Sequence, residues 1–203
     1  MSNLDERIAK LKMQERIEKE KKNNESSDKK SEDFIEEKTL EEVITEMKNG
    51  KVVIKDKEYL FKNKTYMGGK IEIPIPIAYL EEKINSKETV SLVNDARGIS
   101  LVANYLKQRV NKQSFSMLKK GMEKQYKDGG LYLEWDDEGK CGIHKDISYG
   151  TYKTPTGKGD LYNLIFLKEV KDGIIIGNYN CFYKDLDTFK PIINASVNLM
   201  TIR

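Results

Sequence analysis

The sequence Leu161-Tyr-Asn-Leu-Ile-Phe-Leu167 is followed by Lys171-Asp172-Gly173 and by a second apolar stretch, Ile174-Ile-Ile-Gly-Asn-Tyr-Asn-Cys-Phe-Tyr183. Two nearly continuous apolar runs joined by a short turn predict a hairpin whose strands need cover on both faces. A tail with helical periodicity begins near Asp187 and can supply one of those covers. This C-terminal region therefore decides the fold class, although it indicates no particular chemistry.

The charges of the chain are many, but they nearly cancel. Of its 203 residues 34% are charged, and the net charge is only +3. This length suits one globular domain with an appendage. Such a balance is a weak indication of nucleic-acid binding, so we expect no nucleic-acid partner. Cys141 and Cys181 are too few for a disulfide framework and lack metal-site spacing, so we expect reduced thiols and neither metal nor cofactor.

Residues 1–38 are predicted to form a charged arm and linker ahead of a domain at residues 39–203. The first 48 positions hold 11 Lys and Arg against 14 Asp and Glu, a balance of −3, and the remainder holds 25 against 19, a balance of +6. Leu4, Ile8 and Leu11 fall near one helical face. The arm is therefore either solvated and fraying, or a helix that docks on a partner or on a twin copy in a homodimer. No signal peptide or membrane-spanning run is evident, which predicts a cytoplasmic protein.

The first part of the domain is predicted to contain a short helix followed by hairpins. Thr39 and Glu42 make a capping box for a helix at Leu40–Lys48. Beyond it the apolar period changes to two, and turn residues separate the runs. The predicted strands here are Lys51–Ile54, Glu58–Phe61, Thr65–Met67, Lys70–Pro76, Val90–Val93 and Ile99–Val102.

The second part contains two helices and four strands. A helix is predicted at Ser114–Lys127, with a buried stripe of Phe115, Leu118, Met122 and Tyr126. The closing helix has Phe189, Ile193, Val197 and Met200 on its apolar side. Between the helices lie four predicted antiparallel strands: Leu131–Trp135, Gly142–Tyr152, Leu161–Val170 and Ile174–Tyr183.

Five features follow one another in a recognisable order: the strand ending Ile73-Pro-Ile-Pro76, the hairpin through Asn94-Asp-Ala-Arg-Gly98, the helix Ser114–Lys127, the four-strand meander and the helix beginning Phe189-Lys-Pro-Ile-Ile193. From about Lys51 to Arg203 this order resembles the PsbP-like superfamily, which includes DcrB-type domains and the Ran-binding Mog proteins. The resemblance implies an α+β fold and a protein that binds other proteins, and it carries over no catalytic residue.

We therefore predict a mainly antiparallel sheet of about six strands sandwiched by the two helices, preceded by the charged arm. The resemblance further implies a non-enzymatic binding module, either a chaperone or an assembly adaptor, whose partner is a protein and could be a secreted effector or an assembly component. Two alternatives stay open. The first is an oligomeric assembly protein driven by the arm, and the second is a small hydrolase.

The hydrolase alternative depends on a few reactive groups. Cys141 and His144 could pair as nucleophile and base, but side chains three apart on a strand point to opposite faces. The acids of Glu134-Trp-Asp-Asp-Glu138 could do acid–base work or hold Mg²⁺, but consecutive acids at a hairpin tip are usually a solvated turn. The segment Thr154-Pro-Thr-Gly-Lys-Gly159 leads into a strand rather than a helix, which predicts a hairpin turn instead of a phosphate loop.

Aromatic residues of the meander are the stronger candidates for a binding site. Tyrosine and tryptophan combine large apolar area with one polar group, and they are enriched at protein interfaces. Most of these rings are expected in the core, and a nucleic-acid site is disfavoured because acids share their strands. As partner-binding residues we single out Tyr132, Trp135, Tyr149 and Tyr152.

Overall fold

The computed structural model describes residues 38–107 and 114–203. The predicted arm lies outside the described residues, apart from its last position, so its two alternatives stay predictions. The described helices are α1 Leu40–Lys48, α2 Phe115–Asp128 and α3 Leu186–Asn198. Short 3₁₀ turns occur at Met67–Gly69 and Tyr183–Asp185.

The strands form two antiparallel sheets. A four-stranded sheet has the order β1-β2-β3-β11 and a seven-stranded sheet has the order β4-β5-β6-β10-β9-β8-β7. The strands of the smaller sheet are β1 Lys51–Ile54, β2 Lys57–Tyr66, β3 Ile71–Pro76 and β11 Thr201–Ile202. Those of the larger sheet are β4 Glu81–Asn85, β5 Thr89–Asn94, β6 Ile99–Lys107, β7 Glu134–Cys141, β8 Ile147–Thr156, β9 Gly159–Val170 and β10 Gly173–Phe182. The predicted α+β class with a mainly antiparallel sheet is confirmed.

The C-terminal hairpin forms as predicted. Val170 pairs with Gly173, so Lys171 and Asp172 make the connecting turn. Because directly paired residues share a face of the sheet, the register divides the seven-stranded sheet into two faces. We call the face of Phe166 and Tyr179 the inner face and the opposite one the outer face.

The inner face belongs to one hydrophobic core with the four-stranded sheet, α1 and α3. Phe166 and Tyr179 are fully buried there, together with Ile73 of β3. The expected apolar side of the closing helix is confirmed, since Phe189, Ile193, Val197 and Met200 are all buried. The core that the sequence predicted on both sides of the hairpin is therefore deepest on this side.

Helix α1 shows how local sequence and packing agree. The Thr39 side chain accepts from the Glu42 backbone N–H, and the Glu42 carboxylate accepts from the Thr39 backbone N–H at 2.8 Å. This capping box was predicted. The helix then buries Val43 and Met47, and the Ser196 hydroxyl of α3 lies 3.6 Å from the Met47 sulfur.

Several strand boundaries differ from the prediction. The predicted strands Glu58–Phe61 and Thr65–Met67 form one strand, β2 Lys57–Tyr66. β7 begins at Glu134 and runs to Cys141, so the acids Asp136–Glu138 lie within a strand and not at a hairpin tip. The turn to β8 follows Cys141, where Gly142 and Lys145 take positive φ values of 82° and 54°. β7 is an edge strand, and an edge strand needs no apolar face over its whole length.

Candidate functional site

The structure brings together two of the four proposed partner-binding residues. Trp135 of β7 pairs directly with Tyr152 of β8 on the outer face, and their ring centroids lie 5.1 Å apart. Tyr132 precedes β7 and is 60% exposed. Tyr149 lies three positions before Tyr152, so its side chain is on the inner face. The four residues therefore do not form one surface.

Helix α2 adds two side chains to the Trp135–Tyr152 pair. The Phe115 ring meets Trp135 edge-on with centroids 6.5 Å apart, and the Lys119 ammonium lies 4.7 Å from the centre of a Trp135 ring. Lys119 also forms an ion pair with Glu138. A Cβ at Gly150 would lie 2.9 Å from the Phe115 ring, so the glycine permits this close approach. We call Phe115, Trp135 and Tyr152 the aromatic cluster.

The side chains of the aromatic cluster can make noncovalent contacts. Tyr152 is 5% exposed, and its burial raises its phenol pKa, helped by the neighbouring Tyr126 hydroxyl. The phenol is therefore neutral at physiological pH. Among the described residues the buried Trp135 Nε1–H has no hydrogen-bond partner. Rings in edge-on and tilted contact, with one cation above the tryptophan, offer apolar area and cation–π attraction.

Helix α2 covers the aromatic cluster only loosely. The predicted stripe of Phe115, Leu118, Met122 and Tyr126 does turn towards the sheet, but each of these residues stays half-exposed, and α2 has no buried residue. Elements with few buried apolar contacts open at lower free energy than the core. We therefore expect α2 to open more readily than the core of the domain.

The outer face continues from the aromatic cluster as a surface without charge. Nine half-buried side chains on β5, β6 and β10 make up what we call the neutral face: Thr89, Ser91, Val93, Ser100, Val102, Asn104, Ile176, Asn178 and Asn180. The Thr89 hydroxyl donates to Asn104 Oδ1 at 2.9 Å, and the Ser100 hydroxyl donates to Asn180 Oδ1 at 3.1 Å. Sequence reasoning missed this surface, although the alternation of Asn178 and Asn180 with Tyr179 and Cys181 was a visible signal.

On the inner side, the bulge in β7 opens a small groove beside α3. Asp136 and Asp137 lie together opposite Thr151, because the register shifts between Trp135 and Glu138. The groove has a volume of about 120 Å³. Lys190 of α3 lies 3.8 Å from Asp136.

Tyr149 reaches this groove from β8. Its hydroxyl donates to Asp137 Oδ2 at 2.9 Å. Burial, together with that carboxylate, raises the pKa of Tyr149 to about 12. The hydrogen bond fixes Asp137 and leaves the tyrosine protonated, so Tyr149 acts here as a donor to the bulge.

The same groove contains Cys141, so it unites two of the groups on which the hydrolase alternative depends. The thiol is nevertheless 1% exposed, and burial raises its pKa to about 12. A protonated, buried thiol is a poor nucleophile. His144, predicted to lie in a strand, occupies the exposed turn between β7 and β8 and does not line the groove.

Two other features bear on ligand chemistry. Within residues 38–107 and 114–203, no three or more His, Cys, Asp and Glu side chains are gathered in a way that could hold a metal ion. The segment from Thr154 closes the β8–β9 hairpin, as predicted, with the Thr156 hydroxyl donating to the Gly159 carbonyl at 2.6 Å.

None of the described helices is long and apolar enough to cross a membrane.

Comparison with known proteins informs the fold. No protein family matches the sequence, and neither does any curated protein. The Ran-binding protein Mog1p of Saccharomyces cerevisiae is similar in structure, with a TM-score of 0.50 at 10% identity over 71% of this chain and 96% of that one. Cyanobacterial PsbP (CyanoP) of Synechocystis gives a TM-score of 0.53 at 9% identity over 70% of this chain and 92% of that one. The chain thus shares its fold with these two proteins, as its order of elements predicted.

Proposed function

We propose that the chain is a non-enzymatic, cytoplasmic protein-binding module of the chaperone or assembly-adaptor type. The observation that carries this proposal is the aromatic cluster, which lies under a helix with no buried residue. Large rings at the centre of an interface commonly supply most of its binding energy. The similar yeast protein Mog1p is a Ran-binding protein, which is consistent with a protein partner.

In this proposal an apolar segment of the partner packs against the aromatic cluster and the exposed edge of α2. Trp135 and Tyr152 form the centre of the contact, and the exposed Tyr132, just ahead of β7, is a further residue assigned to it. Tyr149 would contact a partner only through the groove on the inner side, because it faces away from Trp135 and Tyr152. Movement of α2 would give the partner access to more of the aromatic cluster. Such movement costs little free energy, because the helix has few apolar contacts to lose.

The proposal is tested by replacing the central ring. The wild-type chain and Trp135→Ala are immobilised, exposed to an extract of the native host, and the retained proteins are compared by mass spectrometry. Leu60→Ala is the matched control, because Leu60 is 50% exposed on the four-stranded sheet. A partner must be retained by the wild type and the control, and its affinity, measured by titration with purified protein, should fall roughly 30-fold for Trp135→Ala.

Two results oppose the proposal. A partner that binds Trp135→Ala as tightly as the wild type does not use the aromatic cluster. If circular dichroism shows that Trp135→Ala is unfolded, Trp135 belongs to the core. Phe115→Ala, in the same cluster but on the helix with no buried residue, then decides through its own affinity loss.

A second candidate is assembly driven by the N-terminal arm. Its support is the spacing of Leu4, Ile8 and Leu11 on one predicted helical face. Deleting residues 1–33 separates the two candidates. Loss of partner binding or of a homodimer supports the arm, whereas unchanged binding leaves the aromatic cluster as the site.

A further inference from the structure

The neutral face is unusual for this chain. About one residue in three of the whole sequence is charged, at 34%, yet the neutral face has no charged side chain. Its residues are half-buried, so they belong neither to the core nor to a fully solvated surface. Loss of charge at the centre of a patch is the compositional mark of a protein interface.

The polar groups of the neutral face can donate and accept equally. Each Asn carboxamide has both a donor and an acceptor, and so does each Ser or Thr hydroxyl. Within the face these groups already pair, as Ser100 does with Asn180. Val93, Val102 and Ile176 lie between them and add apolar area. The neutral face thus combines polar and apolar side chains and has no net charge of either sign.

Another chain cannot easily add a strand at either edge of the same sheet. In β4 the pairing with β5 shifts between Glu82 and Ile84, and in β7 it shifts between Trp135 and Glu138. Bulges and charged residues on edge strands prevent another chain from continuing the sheet. A partner of the seven-stranded sheet must therefore approach through a face.

We propose that the neutral face binds a second copy of this chain, face to face, in a twofold symmetric dimer. A twofold interface places the same patch on both sides, so a patch with one sign of charge repels itself. A patch of carboxamides, hydroxyls and aliphatic groups has no such repulsion, and the carboxamides and hydroxyls that are not satisfied within one copy can both donate and accept. This dimer uses a surface separate from the aromatic cluster and from the N-terminal arm.

The size of the neutral face limits the strength of the dimer. Three strands about 4.8 Å apart, with a few residues each, give a patch of roughly 15 Å in each direction. A standard interface needs about 800 Å² from each partner, so the neutral face can form only its centre. Leu106 at the end of β6, 48% exposed, extends the patch. The dimer is therefore weak, with a dissociation constant in the micromolar range or above.

Sedimentation equilibrium of the full chain over a wide concentration range tests the proposal. The wild type should change reversibly from monomer to dimer as its concentration rises. Ser91→Glu places a charge in the central row of the face, where Ser91 pairs with Val102 and Val102 with Asn178. Like charges brought together should weaken the dimer tenfold or more. Leu60→Glu adds the same charge on the four-stranded sheet and should leave the dimer unchanged.

Several outcomes would overturn the proposal. These are a wild type that stays monomeric throughout, a dimer that Ser91→Glu does not weaken, and a dimer that Leu60→Glu weakens equally. Val102→Glu is a second variant in the same row, and circular dichroism confirms that each variant is folded. The dimer does not use the aromatic cluster, so Trp135→Ala should leave it intact. The dimer and the proposed function can therefore fail separately.

Discussion

The two faces of β10 show how one apolar stretch can build two different surfaces. On the inner face Ile175, Tyr179 and Cys181 are fully buried in the core between the sheets. On the outer face Ile174 is buried as well, but Ile176 and Asn178 are only half-buried. The inner face holds the fold together, while the outer face keeps enough exposure to bind something else. Hydrophobicity along a strand therefore does not say how deeply each face is buried.

The largest expected effect compares two adjacent isoleucines. Ile175→Ala removes a fully buried side chain and should lower the free energy of unfolding by roughly 4 kcal/mol. Ile176→Ala, its neighbour on the outer face, should cost about 1 kcal/mol, because its side chain is already partly solvated. Urea denaturation of both variants measures the difference. Equal costs would mean that the two faces are buried to the same depth.

A second comparison uses the inner-face thiol. Burial raises the pKa of Cys181 to about 12 from an ordinary value of 9.0, so the folded state keeps its proton where the unfolded state loses it. The stabilisation is fully present below pH 9 and is lost as the pH rises through 12. The free energy of unfolding should fall with a slope of about 1.4 kcal/mol per pH unit from this group.

Cys181→Ala provides the control for that titration. The variant lacks the thiol, so its stability should fall less steeply than that of the wild type between pH 9 and 11. Chemical denaturation at several pH values gives both slopes. Identical slopes would mean that the Cys181 thiol ionises as readily in the folded chain as in the unfolded one.

Helix caps offer a third, smaller test. Ser114 Oγ accepts from the Met117 N–H at 3.2 Å at the start of α2, and Thr39 caps α1. Each loss of a cap should cost its helix about 1 kcal/mol. Thr39→Ala should lower global stability, since α1 buries Val43, whereas Ser114→Ala should mainly speed hydrogen exchange within α2. Equal global losses would contradict the loose packing of α2.

The smallest expected effect concerns Lys119, which joins α2 to the outer face. Lys119→Met keeps the length of the side chain but removes its contact with the Trp135 ring and the ion pair with Glu138. We expect a loss of about 0.5 kcal/mol that shrinks at high salt. Urea denaturation at two salt concentrations measures it, and a loss insensitive to salt would exclude the charge as its cause.

Much of the fold was predictable because local signals agreed with the packing. The C-terminal hairpin, the capping box at Thr39 and the apolar side of the last helix were all confirmed. The second edge strand, β4, was missed. All of its residues are exposed, so Glu81–Asn85 shows no alternation of apolar and polar side chains.

The candidate site was predicted only in part. Alternation alone separates Tyr149 from Tyr152, because they are three positions apart, and that signal was available in the sequence. The pairing of Trp135 with Tyr152 depends on the register between β7 and β8, which the bulge at Asp136 and Asp137 shifts. Composition cannot locate such a bulge, since it depends on the partner strand.

The ends of the described domain meet in space, which matters for its synthesis. Helix α1 packs on α3 through Val43 and Met47, and Ile202 pairs with Ile71 of β3 while being only 3% exposed. The core therefore stays open until residues near Ile202 have left the ribosome. Contacts between such distant positions also slow folding. The isoleucine-rich strands of a nascent chain of this kind therefore stay exposed until both ends of the described domain have been made.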